Sequence, residues 1–291
     1  MLRKFLSLAI ICAAIFICNN ACAETQWFWL DSNDKYSKYF DPDSVMIKKK
    51  VVTDDGREVA IEIEAWTKTT YSYEGAAETI KNYGIQNILP DPKSLNYSLA
   101  LLRVNPQNRT LQYIREDFYN ANHQVVWSKE EGRVKEITSR SFDEEFYCAI
   151  VDEVFRLGER DRKRASRQER WLDLWTYTDG EGNTINLTAD TTTMRLKGTN
   201  LILWEWQVKK DASDKTVEIR FVKKSVNLTQ GTEVIKGGQM WTPTNSWQEL
   251  MDEYDGAYRM IRSDEPDYKG LVRLRAYVKN NSNWVTRYSL D

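Results

Sequence analysis

The chain has 291 residues, with 41 basic and 43 acidic side chains, a net charge of −2 and a hydrophobic fraction of 41%. That balance leaves no electrostatic footprint for nucleic acid or for an anionic membrane surface. His123 is the only histidine, which removes zinc sites built on histidine pairs and leaves Ser-His or Cys-His nucleophiles a single candidate base, in a turn.

The first element in the chain is an export signal. Arg3 and Lys4 open it, Phe5 to Cys18 is apolar except for Ser7, and Ala21-Cys22-Ala23 puts small residues at positions −3 and −1 of a cleavage site. This is the anatomy of a secretory signal peptide over residues 1–23, cut between Ala23 and Glu24. The apolar run falls short of the roughly 20 residues of a membrane-spanning helix. Asn19 stands where a lipid-modified Cys22 would want an aliphatic residue. Cys12, Cys18 and Cys22 leave with the signal, so Cys148 has no internal partner and the fold rests on ordinary cores. The expected destination is the periplasm or cell surface, with no membrane span after cleavage.

The remainder reads as two modules, residues 24–157 and 171–291, separated by a charged linker or helix extension at 158–170. In the first, Gln26 to Leu30 is an aromatic strand, and Asp41-Pro42-Asp43 is a turn followed by a second strand. Val59 to Tyr71 alternates, with Val59, Ile61, Ile63 and Ala65 on one face and Glu62, Glu64 and Lys68 on the other. Glu74 to Tyr83 is a short helix ended by Gly84. Tyr97 to Val104, Thr110 to Tyr119 and Val125 to Ser128 form a meander, with His123 in its last turn. Ser141-Phe142-Asp143-Glu144 has the form of a capping box opening a helix whose apolar stripe is Phe142, Phe146, Ile150 and Val154. Cys148 lies on the apolar side of that helix and is expected to pack as a small hydrophobe.

The linker run Arg156 to Arg170 holds seven basic and three acidic residues and reads as solvated. Beyond it the plan repeats. Trp171 to Tyr177 is another aromatic strand, Asp190-Thr191 stands where Asp43-Ser44 stood, and Leu201 to Val208 alternates. Thr216 to Asn227 and Thr232 to Met240 make a hairpin about Gln230-Gly231. Trp247, Leu250, Met251, Tyr254, Tyr258 and Ile261 predict a helix opened by Ser246, and Leu271 to Lys279 with Trp284 to Leu290 predict a closing hairpin. The fold class is therefore α+β: two modules, each an antiparallel sheet packed by a C-terminal helix, related as an internal repeat.

Candidate chemistry is sparse. Asp179-Gly180-Glu181-Gly182-Asn183 with Asp190 spaces oxygen ligands like a Ca²⁺ loop, but Thr184 replaces the tight-turn glycine, and a hairpin turn is the preferred reading. Glu62 with Glu64, Asp252, Glu253 and Asp255, or Asp41 with Asp43 supply paired carboxylates for a glycosidase-type reaction, with nothing local to place one in an apolar pocket. Trp27 with Trp29, and Trp204 with Trp206, share sheet faces and are read as core aromatics, the alternative being sugar-stacking platforms. No catalytic, cofactor-binding or metal residue is assigned.

The first half resembles the bacterial surface-adhesin protein E-like domain family over about residues 25–155. The likeness rests on Trp27 and Trp29, Tyr39-Phe40-Asp41-Pro42-Asp43-Ser44, the strand ending near Trp66, Val125-Val126-Trp127 and the helix bearing Cys148. It implies an exported antiparallel sheet packed by a C-terminal helix, and adhesion to host matrix proteins. The function expected is a non-catalytic binding or structural role at a bacterial envelope, with an envelope, cell-wall or host protein as partner. The alternatives are a hydrolase using paired carboxylates and an inhibitor of an extracellular enzyme.

Overall fold

The computed structural model describes residues 26–139, 141–157, 169–250 and 256–290. The expected signal segment with Ala23 and Glu24, the linker residues 158–168, and Asp252, Glu253 and Asp255 lie outside the described residues. The first module runs β1 (Phe28–Ser32), β2 (Tyr36–Phe40), a 3-10 turn (Pro42–Ser44), β3 (Met46–Val52), β4 (Glu58–Tyr71), α1 (Tyr73–Tyr83), β5 (Tyr97–Asn105), β6 (Thr110–Tyr119), β7 (Val125–Glu130), β8 (Lys135–Glu136) and α2 (Glu144–Phe155). The second runs β9 (Trp171–Thr178), β10 (Thr184–Asp190), a 3-10 turn (Thr191–Thr193), β11 (Arg195–Lys197), β12 (Asn200–Lys210), β13 (Thr216–Asn227), β14 (Thr232–Trp241), β15 (Gln248–Glu249), β16 (Arg259–Met260), α3 (Pro266–Asn280) and α4 (Ser282–Val285).

Each module is an eight-stranded antiparallel sheet, and the two topologies match strand for strand. The orders are β1-β2-β4-β5-β6-β7 and β9-β10-β12-β13-β14-β15; β3 and β8 join β4 and β6, as β11 and β16 join β12 and β14. One insertion breaks the match. α1 interrupts β4 and β5, whereas β12 and β13 meet directly through the Asp211 to Lys215 turn. α1 is capped by the Ser72 hydroxyl, which accepts from the Gly75 amide at 3.2 Å, and is ended by Gly84 in the left-handed region. A side chain at Gly75 would put its Cβ 2.1 Å from the Lys35 carbonyl oxygen, so this close approach requires glycine.

The repeat extends to single hydrogen bonds. The Ser44 hydroxyl donates to the Asp41 carbonyl at 2.7 Å and accepts from the Trp66 amide at 2.9 Å. The Thr193 hydroxyl donates to the Asp190 carbonyl at 2.7 Å and accepts from the Trp204 amide at 2.9 Å. Asp190 therefore corresponds to Asp41, not to Asp43, which corrects the register read from the sequence. Further along, Arg109 and Gly231 both have positive φ in the β5–β6 and β13–β14 turns, and their carbonyls accept from the Ile137 and Ile261 amides at 2.8 and 2.9 Å.

Three sequence expectations are overturned. The segment from Ser246 is not a helix over its described residues: Gln248–Glu249 and Arg259–Met260 pair with β14, burying Leu250 and Ile261. The closing hairpin is instead α3 and α4. Leu271, Leu274 and Val278 follow helical spacing against the second core, and Pro266 starts the helix where its missing N–H is harmless. The capping box does not form: the Ser141 hydroxyl has no partner, and α2 begins at Asp143 without a side-chain cap. The Glu144 carboxylate is drawn away by the Arg109 and Arg170 guanidiniums, at 2.6 and 2.7 Å.

α2 lies on the first core, Phe40, Ile63, Ala65, Leu102, Leu111, Phe146 and Ile150; α3 lies on the second, Leu174, Leu187, Leu201, Leu203, Leu271 and Leu274. The end of the chain returns to the first module. Tyr288 joins the first core, edge-on to Phe155 at 4.8 Å, while the Trp284 indole donates to the Thr191 carbonyl at 2.8 Å. Cys148 is half-buried beside that core, a free thiol. Burial and then the nearby Glu144 push it up to about 12. Ellman's reagent at pH 8 is expected to leave Cys148 unmodified in the native chain and to titrate one thiol in the signal-free chain once guanidinium unfolds it; rapid native labelling would contradict the packing of the thiol against the core.

Candidate functional site

α1, inserted only in the first module, walls a cleft of about 710 Å³ against the helical face of the sheet, between Tyr36, Thr79, Asn82, Lys129, Arg133 and Phe142. Its floor holds two buried acids, Glu116 and Asp143. The Arg115-Glu116-Asp117 run in β6 alternates, so Glu116 turns inward while Asp117 turns to the opposite face. The Tyr83 hydroxyl donates to Glu116 Oε2 at 2.5 Å and the Ser98 hydroxyl to Oε1 at 3.1 Å. Ser98 in turn shares a 2.6 Å hydrogen bond with the Tyr71 hydroxyl. Burial lifts the Glu116 carboxyl above the usual carboxylate range, and the charge of Asp143 lifts it further. Burial likewise raises the Tyr71, Tyr83 and Tyr113 hydroxyls, keeping them neutral donors.

Asp143 accepts from the Tyr113 hydroxyl at 2.6 Å and pairs with the Lys135 ammonium. The same pin stands in the second module, where Arg259 of β16 pairs with Asp267 at the start of α3 and the Trp175 indole donates to Asp267 at 3.0 Å. A second cleft of about 410 Å³ lies there, lined by Glu205, Lys224, Glu233 and Arg259. It is chemically different: Lys224 bridges Glu205 at 2.8 Å and Glu233 at 3.3 Å, and Arg259 reaches Glu233 at 2.6 Å. What recurs is the basic residue on the short strand and the aspartate opening the helix. That recurrence marks the pair as architecture. The tyrosine-ringed Glu116 belongs to the first module alone.

The sign of the Glu116 shift gives a prediction. A carboxyl whose folded pKa is raised favours the protonated fold, so it detracts from stability as pH rises above the unfolded value of about 4.3. Glu116→Gln keeps an acceptor for Tyr83, and its amide can donate to Ser98, which then donates to Tyr71. The variant is expected to unfold at a higher temperature than wild type at pH 7, and at no higher temperature at pH 4. A destabilised variant at pH 7 would show that Glu116 is held ionised.

The acids singled out in the sequence are not in the cleft. Glu64 is buried on β4, paired with Arg103 at 2.6 Å and Lys48 at 3.7 Å; Glu62 flanks it on the same strand. Asp41 caps the turn containing Asp43, accepting from its amide at 3.0 Å. Asp179 closes the β9–β10 turn, accepting from the Glu181 and Asn183 amides, while Asp190 sits between the modules on Arg170, so the two do not meet as cation ligands. His123 is in the β6–β7 turn, its Nδ1 3.2 Å from the Tyr97 hydroxyl.

The tryptophan pairs lie on the sheet faces away from the helices: the core reading fails for exposed Trp29, while Trp204 is buried as expected but not beneath a helix. Trp29 is 56% exposed; Trp204 is buried from the other side, stacked on Phe221 at 4.4 Å with its indole donating to Glu136 of the first module at 3.1 Å. On the first sheet, Tyr97 stacks on Tyr119 at 4.7 Å, and the Lys68 ammonium lies 4.8 Å from Tyr97 and 5.8 Å from Trp27. The cleft residues Glu116, Tyr83 and Tyr113 escaped the sequence reading. One signal was available for the repeated pin: Lys135-Glu136-Ile137 with Asp143 has the spacing of Arg259-Met260-Ile261 with Asp267.

No protein-family model matches the chain, and no curated protein or solved structure matches it. Among the described residues no helix is long and apolar enough to cross a membrane.

Proposed function

We propose that this is an exported protein of a bacterial envelope with a non-catalytic binding role, and that its ligand enters the tyrosine-lined cleft of the first module. One observation carries the binding reading. All four carboxylate oxygens on the cleft floor are engaged by the protein's own donors: Tyr83 and Ser98 on Glu116, Tyr113 and Lys135 on Asp143. A general acid must present its proton to the substrate; these acids are turned to the scaffold, while the cleft walls offer tyrosines, Asn82, Lys129 and Arg133 to a polar, partly apolar ligand such as a peptide or cell-wall fragment. The amino-terminal export signal and the resemblance to the adhesin E-like domains support the envelope as the place.

The raised Glu116 beside Asp143 is the one feature that favours a carboxylate hydrolase instead. The two readings separate in one titration. Soluble cell-wall fragments are expected to bind the purified chain without being cleaved, and Asn82→Trp, which fills the exposed cleft mouth, is expected to weaken them at least tenfold. Cleavage of the fragments that is lost in Glu116→Gln would replace the binding reading with the hydrolase. Protease treatment of intact against lysed cells tests the location, since digestion of the chain only after lysis places it in the periplasm.

A further inference from the structure

Where the two modules meet, buried cations outnumber their counterions among the described residues. Four arginines converge on the turn Thr191–Thr193. Two are balanced: Arg109 and Arg170 share Glu144, and Arg170 also holds Asp190. The other two are not. Arg195, 6% exposed, donates from one terminal nitrogen to the Thr192 and Met194 carbonyls at 3.1 and 2.8 Å, and its other terminal nitrogen, Nη2, has no hydrogen-bond partner. Arg287 donates to the Thr192 carbonyl at 2.8 Å and the Trp284 carbonyl at 2.5 Å, and its Nε has no partner. The Tyr288 ring lies 4.5 Å from one guanidinium and 4.8 Å from the other. Among the described residues, neither is paired with a carboxylate.

A carbonyl or an aromatic face stabilises a guanidinium but does not neutralise it, and an uncompensated buried charge is strongly unfavourable. Two cavities, of about 390 and 330 Å³, open beside Arg195; Gln107, Asn108, Arg195 and Lys197 line both, and the Glu136 carboxylate that also lines the larger is taken up by Lys223 at 2.8 Å.

We propose that the seam between the modules binds an oxyanion, the carboxylate or phosphate group of a small ligand, on the unpartnered Nη2 of Arg195 with Lys197 at the mouth. A planar guanidinium with free N–H groups is suited to either anion, and the exposed lysine adds charge without geometric demand. Burial, and then Arg195 itself, pull the Arg287 guanidinium down to about 10, the response of a cation facing another without an anion between them. The site is separate from the α1 cleft and does not depend on its reading.

The test is calorimetric titration of the purified chain with sodium phosphate and with sodium acetate, at ionic strength matched by chloride. Saturable phosphate binding is expected, weakened at least tenfold in Arg195→Lys and in Lys197→Glu. Comparable acetate binding would assign a carboxylate ligand, and phosphate binding alone a phosphate ligand. The proposal is overturned if neither anion gives saturable heat in the wild type. It is equally overturned if Lys197→Glu, an exposed position whose exchange leaves the cores untouched, binds phosphate as tightly as wild type does.

Discussion

Replacing Arg170 with Met is expected to lower the unfolding free energy by about 3–5 kcal/mol, the usual result of removing one partner from a buried ion network. Arg170 is 7% exposed, and its Nη2 lies 2.7 Å from both Glu144 of the first module and Asp190 of the second. Burial alone would raise Asp190, but Arg170 and then Arg109 hold its carboxyl below the usual range. A carboxyl depressed in this way contributes stability above its unfolded pKa, about 3.9, and loses it as pH falls through the folded value. The gap between wild type and variant should therefore narrow in acid. Guanidinium unfolding at pH 7 measures the loss, with Lys50→Met as control, since its partner Glu58 is exposed and that pair is screened by water. A loss no larger than the control's would mean that the seam is not held by this network. Two separated transitions in the Arg170 variant would show that the bridge also couples unfolding of the modules.

The second large effect is expected at Lys224. Lys224→Met should cost about 3–5 kcal/mol, because Glu205 and Glu233, 4% and 5% exposed, lose the cation between them. Burial raises the Glu205 carboxyl even in the native network. The repeat provides the control. Matching the sheets through Trp66 and Trp204, Lys224 corresponds to Leu102, Glu233 to Leu111 and Glu205 to Thr67, all buried in the first module. Lys224→Leu, Glu233→Leu and Glu205→Thr together should recover most of what the single change loses, since an apolar replacement of a whole buried ion network is often neutral or stabilising. Arg259 keeps Glu265 at 2.7 Å and Asp267 in that triple variant. A triple variant no more stable than Lys224→Met would show that the two cores cannot exchange their packing.

Both expectations turn on groups whose partners lie far away in the chain, and there the sequence was least legible. The alternating strands, the Asp-containing turns, the β5–β6–β7 meander and the two-module plan could be read locally, because each depends on side chains two to four residues apart. The same local reading failed at the carboxyl end. Leu271-Val272-Arg273-Leu274-Arg275 satisfies a strand and a helix pattern alike, and only the fit of Leu271 and Leu274 against β9 and its neighbours settles the helix. From Ser246 onward the apolar spacing was helical, yet the edge of β14 offered backbone partners that a helix would have left unpaired.

Charge was legible in amount but not in use. Arg170 stands in a run of charges that composition marks as solvated, and it is the described residue of that run which is buried between two acids. Glu144 had the right neighbours for a capping box but went to arginines 35 residues before it and 26 after it. The sequence by itself determined most of the long strands, their turns, the repeat of the plan and the candidacy of the amino terminus as an export signal, because periodicity and small-residue spacing are local properties. Only the tertiary structure decided which acids would be buried, which cations would meet them and where a cleft would open. A buried charge is tolerable only beside its counterpart, and that counterpart arrives from another strand or from the other module.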